Sequence, residues 1–382
     1  EPAAGLPQLH TTTLEAYQQL AVTLAHAPRR LAALRQHLRR QRQPGAPGPL
    51  FDTAAGIRQL ERLYRRVARG SRPASDTATP LVSILLAVAA DHNADAVERT
   101  LHSALAQHYP EVDIIVSDAS ASPAIEARIA PLLARHPQLR YSRASGLTPA
   151  ASLDHCLALA LGEYIAITPI GDTLHPNRLA RMLDFYQRYP GVGLVACWRQ
   201  PQDASGNDVA GAPGLAAETA VGGTSLAALL LAAEAATVDT LCDPGALLLR
   251  RATLSAGFGQ YHGRRYQALG PVATVLAALA GGDYVYLPEP LGSRRSAASP
   301  SASNSALASL ERTLEQLELL YQAHAQQLFA SAPQRFAPLL AARLAACHSL
   351  LTSQHTALAP LPAPLRQRLD GLLQQGHQLL LG

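Results

Sequence analysis

The feature that most constrains the fold is a change of pattern at Leu81, where short β-branched runs begin to alternate with helical periods of apolar residues. Parallel strands cannot be joined by tight turns, so each needs a crossover connection, usually a helix. Such alternation is therefore typical of a largely parallel sheet covered by helices. The predicted strands are 82–88, 112–117, 139–142, 164–168, 192–197, 246–249 and 284–287. We predict one α/β domain over residues 81–295.

Helical segments precede this domain. Residues 12–42 and 52–69 show the apolar spacing of two amphipathic helices. We predict a helical tail over residues 1–70, followed by a linker at 71–80 that is rich in Ser, Arg, Pro and Thr.

A helical extension follows the domain. Residues 296–309 are rich in Ser and Ala and are predicted to be a second linker. Residues 310–382 are predicted to form a helical extension, because their leucines recur at helical spacing and mark packing faces. The predicted helices are 310–329, 336–351 and 365–381.

The charge balance argues against some classes of partner. The 382 residues include 32 basic and 28 acidic ones, giving a net charge of +4, and no lysine is present. Arginines spread this thinly favour neither a nucleic-acid partner nor binding to a membrane surface. The one local cluster, residues 35–42, is either a solvated helix face or a phosphate-binding patch.

Cysteine usage and hydropathy bear on the compartment. Cys156, Cys197, Cys242 and Cys347 form no Cys-x-x-Cys pair, so neither a zinc site nor a disulfide framework is predicted. This usage suits a reducing compartment, and we expect a cytoplasmic location. The most apolar window, 226–238, contains an acid and is too short to cross a bilayer, so no membrane span is predicted.

Several segments of the sheet domain resemble family 2 glycosyltransferases. PLVSILLAV at 80–88, ERTLHSALAQHYP at 98–110 and DIIVSD at 113–118 look like the opening of that family. LALALGEYIA at 157–166 and DTLHPNRL at 172–179 resemble the elements that flank its Asp-x-Asp motif, and YVYLPEPL at 284–291 resembles its closing strand. Ordered matches of this kind are more specific than any single short motif. The resemblance implies a GT-A, Rossmann-like fold with a mostly parallel central sheet, and a nucleotide-diphosphate sugar as partner.

The reaction of such enzymes says which positions matter. They hold a nucleoside diphosphate, balance the charge that develops on the departing diphosphate, and deprotonate an acceptor hydroxyl. The family usually does this with an acid near the base, a carboxylate pair that holds a divalent cation, and a further carboxylate as general base.

The position near the base is half retained. Where the family has two adjacent acids after the second strand, this chain has Asp118 and Ala119. The resemblance implies that Asp118 contacts the donor base. An Asp that ends a strand is also an ordinary turn or cap residue, so both interpretations stay open.

The Asp-x-Asp motif is replaced. Its two acids fall on Pro169 and Gly171, and only the following Asp172 is acidic. Mg²⁺ and Mn²⁺ usually take one or two carboxylates together with substrate phosphates, so no metal site and no divalent cofactor are expected here. Asp172 is either a remnant of the donor site or a cap of the helix that follows Pro176.

The general-base position is also replaced. The acid pair that normally supplies the base falls on Gly270 and Pro271, which cannot accept a proton. Arginines offer a compensation for the missing cation, because a guanidinium binds phosphate oxygens in a bidentate manner. Arg294 and Arg295 follow the closing strand, and a basic group precedes it in the loop that contains His262, Arg264 and Arg265. These side chains could equally be solvated loop arginines.

Residues 1–70 carry a separate resemblance. GLPQL at 5–9, LEAY at 14–17, PLFDT at 49–53 and LERLY at 60–64 look like the carboxyl end of the O-linked N-acetylglucosamine transferase and SPINDLY family, a GT-B fold. The resemblance implies a GT-B-like module upstream in the same protein, of which this chain is expected to be a part.

Two functions therefore stay open. One is a glycosyltransferase within a multidomain glycosylation protein, independent of metal if it is active. The other is a catalytically inactive pseudo-glycosyltransferase that serves as an interaction or stabilising module.

Overall fold

The computed structural model describes residues 9, 13–41, 79–189, 191–233, 235–296, 306–329, 333–354, 358 and 361–381. The chain divides into two compact units, residues 1–78 and 79–382. The predicted helix at 52–69 and most of the two predicted linkers lie outside the described residues.

The described part of the first unit contains two helices, α1 (Leu14–Ala25) and α2 (Pro28–Gln41). Thr13 caps α1, because its Oγ1 accepts a hydrogen bond of 3.2 Å from the Ala16 amide. A single helix over 12–42 was the wrong prediction. Pro28 disfavours a helical conformation in the residue before it, so the helix ends and a new one begins at the proline.

The described part of the second unit is built on one sheet of nine strands, with a separate two-stranded hairpin. The strands are β1 (Val82–Val88), β2 (Val112–Asp118), β3 (Leu139–Arg143), β4 (Tyr164–Ile167), β5 (Thr173–Leu174), β6 (Val192–Gln202), β7 (Thr219–Val221), β8 (Leu247–Arg250), β9 (Gln260–Tyr261), β10 (Arg264–Arg265) and β11 (Asp283–Arg295). The sheet order is β3-β2-β1-β4-β8-β6-β11-β5, with β7 also paired to β11, and β9 and β10 form the hairpin.

The sheet is mixed, but most of its strands run in the same direction. Strands β3, β2, β1 and β4 are mutually parallel, and β11 is parallel to β6. Strand β8 runs antiparallel to both β4 and β6, so β6 and β11 run in the same direction as the first four strands. Strands β5 and β7 are antiparallel to β11.

Helices cover both faces of this sheet. They are α3 (Ala94–Leu105), α4 (Ala124–Arg135), α5 (Pro149–Leu159), α6 (Arg178–Arg188), α7 (Gly223–Ala232), α8 (Ala235–Leu241), α9 (Gly270–Leu279), α10 (Ala306–Ala325), α11 (Phe336–Ser353) and α12 (Ala363–Leu381). Apolar residues of α3, α4 and α6 belong to one core cluster, and those of α5, α7 and α9 belong to the other. The predicted α/β class with a largely parallel central sheet is confirmed.

All seven predicted strands exist, but two of them are longer than expected. Strand β6 continues to Gln202 and β11 continues to Arg295. Prolines interrupt both patterns, and a proline cannot donate a hydrogen bond to a sheet. The β11–β6 pairing accommodates them with register shifts between Leu287 and Pro290 and between Pro290 and Ser293. Strands β5, β7, β9 and β10 were missed because two or three residues are too few to show an alternating pattern.

The C-terminal helices share a core with the sheet. Leu310, Leu314 and Leu320 of α10 are at most 1% exposed, in the same cluster as Val272 and Leu276 of α9. The predicted helices at 310–329, 336–351 and 365–381 correspond to α10, α11 and α12.

One stretch passes a test for membrane-spanning length. Residues Pro333–Ser353 have a mean hydropathy of 1.2, with 22% of the window buried. Core helices of soluble proteins pass the same test, and α11 buries Leu340, Leu344 and Cys347 against the helical core. The stretch therefore assigns no membrane location, and the absence of a span stays a prediction.

Candidate functional site

The sequence-predicted residues of the donor site gather at one edge of the sheet. The order β3-β2-β1-β4 reverses direction at β1, and ligands of such sheets bind where strand order reverses, beyond the carboxyl ends. Asp118 ends β2, Asp172 follows β4, and Arg294 and Arg295 end β11. These strands share a direction, so all four residues lie at the same edge.

Asp118 is committed to the turn in which it lies. It is fully buried, its Oδ1 accepts a 2.8 Å hydrogen bond from the Ser120 amide, and its Oδ2 accepts a 2.7 Å bond from the Tyr141 hydroxyl. Burial, together with this bond to Asp118, raises the pKa of Tyr141. Ala119, at the second acid position, is also buried, and its amide donates to the Val88 carbonyl at 2.9 Å. The turn interpretation of Asp118 is thus observed, and the contact with a donor base stays a prediction.

The Asp-x-Asp positions form a tight turn after β4. The Asp172 amide donates to the Pro169 carbonyl at 3.2 Å, and Gly171 has a φ of +102°, which suits glycine. Thr100 of α3 fixes the turn, because its hydroxyl accepts from the Gly171 amide and donates to the Asp172 carbonyl, both at 2.9 Å.

The Asp172 side chain is held by one guanidinium and one backbone amide. The residue is 4% exposed, its Oδ2 pairs with Nη1 of Arg199, and its Oδ1 accepts a 2.8 Å bond from the Arg295 amide. Arg199 also binds Asp243, whose Oδ2 accepts from Nε at 3.1 Å and from Nη2. Burial alone would lower the pKa of Arg199, but the carboxylates of Asp243 and Asp172 raise it.

The interpretation of Asp172 as a helix cap is wrong. Strand β5 follows it directly, and the cap position of α6 is held by Asn177. The residue instead joins the β4–β5 turn to β6 and β11. This role needs an arginine that is distant in sequence, which the local pattern Asp-Thr-Leu-His-Pro does not reveal.

The general-base position lies at the start of α9, which begins at Gly270. The carboxylate beside this helix start belongs to Glu315 of α10. It is 5% exposed, and its two oxygens accept from the amides of Gln267 and Leu269, each at 2.8 Å. Glu315 therefore supports the backbone before α9, and Gly270 and Pro271 supply no acid in its place.

The arginines of the β9–β10 hairpin have acidic partners distant in the sequence. Arg265 pairs with Asp154 of α5, and Arg264 pairs with Glu318 of α10. Glu318 is 5% exposed and also binds Arg368 of α12. These ion pairs compete with a diphosphate for Arg264 and Arg265, and the compensation by these two arginines stays a prediction.

Arg294 and Arg295 have a different environment. No described carboxylate pairs with either guanidinium, and Nε of Arg295 is buried without a hydrogen-bond partner. The Arg295 side chain lies against the backbone of Gly206, where a Cβ would come within 2.4 Å of Nη2.

Arg99 of α3 is a basic neighbour that sequence reasoning missed. It immediately precedes Thr100, which holds the β4–β5 turn. Burial lowers the pKa of Arg99, and the positive charge of Arg295 lowers it further. The two positive charges therefore act on each other.

The residues present do not fit a divalent cation. Pro169 and Gly171 offer no side-chain oxygen, and Arg199 already neutralises Asp172. Among the residues that the structure describes, no group of three His, Cys, Asp or Glu side chains could hold a metal ion. The charged groups that this edge offers to a ligand are therefore the guanidinium groups of its arginines.

Asp172→Ala is expected to lower the free energy of unfolding by about 3 kcal/mol, because it breaks a buried ion pair and leaves the Arg295 amide without its acceptor. Urea unfolding followed by fluorescence of Trp198, the single tryptophan, measures this. The control is Asp184→Ala, which removes a half-exposed partner of Arg188 and should cost less than about 1 kcal/mol. Equal losses of unfolding free energy in the two variants would show that the buried pair contributes no more to stability than the exposed one.

Comparison with known proteins gives a partial family match. Residues 87–220 match the family described as Glycosyl transferase family 2. The matched segment contains Asp118, Pro169, Gly171 and Asp172, and it ends before Gly270 and before the arginines of β11. The curated relative is the succinoglycan biosynthesis protein ExoO of Rhizobium meliloti (strain 1021), 34% identical over 104 residues. The alignment spans 26% of this chain and 29% of that relative.

Two solved structures share part of this outline. The mannosyltransferase PcManGT from Pyrobaculum calidifontis, in complex with GDP-Man and Mn²⁺, has a TM-score of 0.47 and 17% identity, covering 86% of this chain and 90% of that one. S. aureus TarS 1–349, in complex with UDP-GlcNAc, has a TM-score of 0.49 and 15% identity, covering 78% of this chain and 90% of that one. At this level of similarity, nothing about their ligands carries over to this chain.

Proposed function

We propose that residues 79–296 form a nucleotide-sugar-binding domain of the GT-A type, descended from family 2 glycosyltransferases, which binds the donor diphosphate through arginines without a divalent cation. The family match over residues 87–220 supports the descent. The observation that carries the binding mode is the guanidinium of Arg295, which pairs with no described carboxylate and lies at the carboxyl edge where the motif acids are missing.

The geometry suits an anion at this place. The backbone of Arg295 is fixed by its bond to Asp172, while Nε of its guanidinium has no partner among the described residues. A phosphate oxygen could satisfy that buried donor, and a bond between two charged groups is worth about 1.5–3 kcal/mol. Arg294 is the neighbouring residue of β11, and it is exposed and adds positive charge near this edge.

We expect the protein to bind UDP or GDP equally well in EDTA and in Mn²⁺. Arg295→Gln should weaken binding by about tenfold or more, because a charge-assisted phosphate contact is lost. Arg99→Gln and Arg294→Gln should each weaken it by roughly threefold, since both side chains are more exposed. Isothermal titration calorimetry at low salt measures these constants, and binding should weaken as salt is added.

The matched control is Arg188→Gln, an exposed arginine of α6 that pairs with Asp184. Its affinity for the nucleotide should equal that of the unmodified protein. Binding that requires Mn²⁺, or binding that Arg295→Gln leaves unchanged, would contradict the arginine mode.

A second candidate function is a catalytically inactive module that stabilises or recruits a partner. The environment of the general-base position favours this inactive module. Neither Gly270 nor Pro271 has an acidic side chain, and both carboxylate oxygens of the nearby Glu315 accept hydrogen bonds from backbone amides. Nucleotide binding without turnover is the result that distinguishes this candidate from a metal-independent transferase.

The proposed setting is a multidomain, cytoplasmic glycosylation protein with a GT-B-like module upstream. The support is the resemblance of residues 1–70 to the carboxyl end of such modules, together with four cysteines that are all buried free thiols. The sequence encoded before Glu1 tests the proposal, and a stretch without a GT-B donor site would contradict it.

A further inference from the structure

Arg199 of β6 joins two loops through their carboxylates. Its Nη1 binds Oδ2 of Asp172 in the β4–β5 turn, and its Nε and Nη2 bind Oδ2 of Asp243, just before β8. Nη1 also lies 3.4 Å from the Ser293 carbonyl oxygen of β11. Oxygens from three separate segments thus face one cationic group.

The cluster is built inside the protein. Arg199 is 7% exposed and Asp172 is 4% exposed. Gly245 makes room for the guanidinium, because a Cβ at that position would lie 2.5 Å from Nη1. The carboxylates of Asp172, which is buried, and Asp243, which is partly buried, need a cationic partner to stay charged together.

The surrounding charges are balanced by a second arginine. Arg178, at the start of α6, is fully buried and donates from Nη2 to the Gly245 carbonyl at 2.7 Å. Within the described part of the chain, its Nε and Nη1 have no hydrogen-bond partner. Arg178, Arg199, Asp172 and Asp243 together carry two positive and two negative charges.

We infer that the guanidinium of Arg199 is a built-in substitute for a divalent cation, binding the oxygen set that such a cation would bind. Carboxylate and carbonyl oxygens are the ligands that Mg²⁺ and Mn²⁺ prefer, and here each one faces Arg199. The inference rests on the proposed function, for which it supplies the reason that no metal is needed. It also predicts that the site will accept a metal once the guanidinium is removed.

The test is Arg199→Met with and without Mn²⁺ at pH 8, where the two acids can ionise. The variant should lose about 5–10 °C in Tm, because two buried carboxylates lose their partner. Adding 10 mM MnCl₂ should restore about 2–5 °C of this loss. The restoration is expected to be partial because Arg178 still opposes a cation. The unmodified protein should shift by less than about 1 °C.

Two controls separate a specific site from general effects of Mn²⁺. Arg140→Met breaks another ion pair, in which Arg140 binds Asp113 with both Nε and Nη2. This change takes the arginine away from one carboxylate, whereas Arg199→Met takes it away from two. Its Tm should fall without recovery in Mn²⁺. The double variant Arg199→Met/Asp243→Asn should also lose the recovery, because only one of the two acids remains.

If Arg199→Met does not fold, its refolding yield from urea in MnCl₂ and in EDTA gives the same comparison. No gain from Mn²⁺ in either measurement would overturn the inference. Stabilisation of the unmodified protein by Mn²⁺, lost in Asp172→Asn, would overturn it too, by revealing a native metal site. Neither readout involves a nucleotide, so the result is independent of whether the proposed donor binding holds.

Discussion

A chain that ends at Ser296 is expected to be insoluble or to unfold without a cooperative transition. The lost helices bury Leu310, Leu314 and Leu320 against α7 and α9, and each fully buried leucine contributes about 1.5–3 kcal/mol. Several such residues approach the whole stability of a domain, which is about 5–15 kcal/mol. Removing Glu315 also leaves the amides of Gln267 and Leu269 without acceptors. Solubility, circular dichroism and urea unfolding measure the outcome.

The matched control is a chain that begins at Thr79. The residues of both core clusters lie after this point, so the shortened protein should unfold cooperatively with nearly the same midpoint. A chain ending at Ser296 that remains soluble and cooperative would show that residues 81–295 fold alone, as the sequence-based boundary predicts.

The chain of residues 1–382 is expected to transfer no sugar above background from common UDP- and GDP-sugars. A general base is worth about 10²–10⁴-fold in rate, and neither Gly270 nor Pro271 can act as one. Release of nucleoside diphosphate, measured with water and with simple sugars as acceptors, tests this. Robust turnover that is lost on changing Asp118 or Asp172 would show an unconventional glycosyltransferase instead.

Restoring the missing acids is not expected to revive the reaction. Gly171 has a φ of +102°, so an aspartate there is strained by about 1–3 kcal/mol. New carboxylates at 169 and 171 would also join a turn whose remaining acid is already held by Arg199. The triple variant Pro169→Asp/Gly171→Asp/Pro271→Asp should therefore stay inactive in Mn²⁺. Activity in this variant, with none in Pro271→Asp alone, would show that the motif turn can still be repaired.

The fold could be predicted largely because most of its longer strands show a clear apolar pattern in the sequence. Strand β1 is a continuous apolar run buried on both faces, so the predicted range 82–88 is also the observed one. The direction of β8 could not be read in the same way. A short apolar run looks alike whether it pairs parallel or antiparallel, and its place between β4 and β6 is fixed by neighbours distant in the chain.

The candidate site was predictable in position but not in its contacts. Counting along the motif located Asp172, whereas its partner Arg199 lies 27 residues away, and Asp243 lies a further 44 residues on. An arginine in an apolar strand gives no local sign that it is buried between two acids. The same holds for Arg99, which looks like one of many helix-surface arginines until the fold brings it beside Arg295.

The strand order also has a consequence for synthesis. Strand β6 lies between β8 and β11, and both of these partners are translated after it. At ordinary elongation rates, several seconds pass before β11 leaves the ribosome. During this interval β6 offers open hydrogen-bonding edges of the kind that recruit other nascent chains. We therefore expect the edges of β6 to be the part of this sheet most exposed to wrong pairing while the chain is being made.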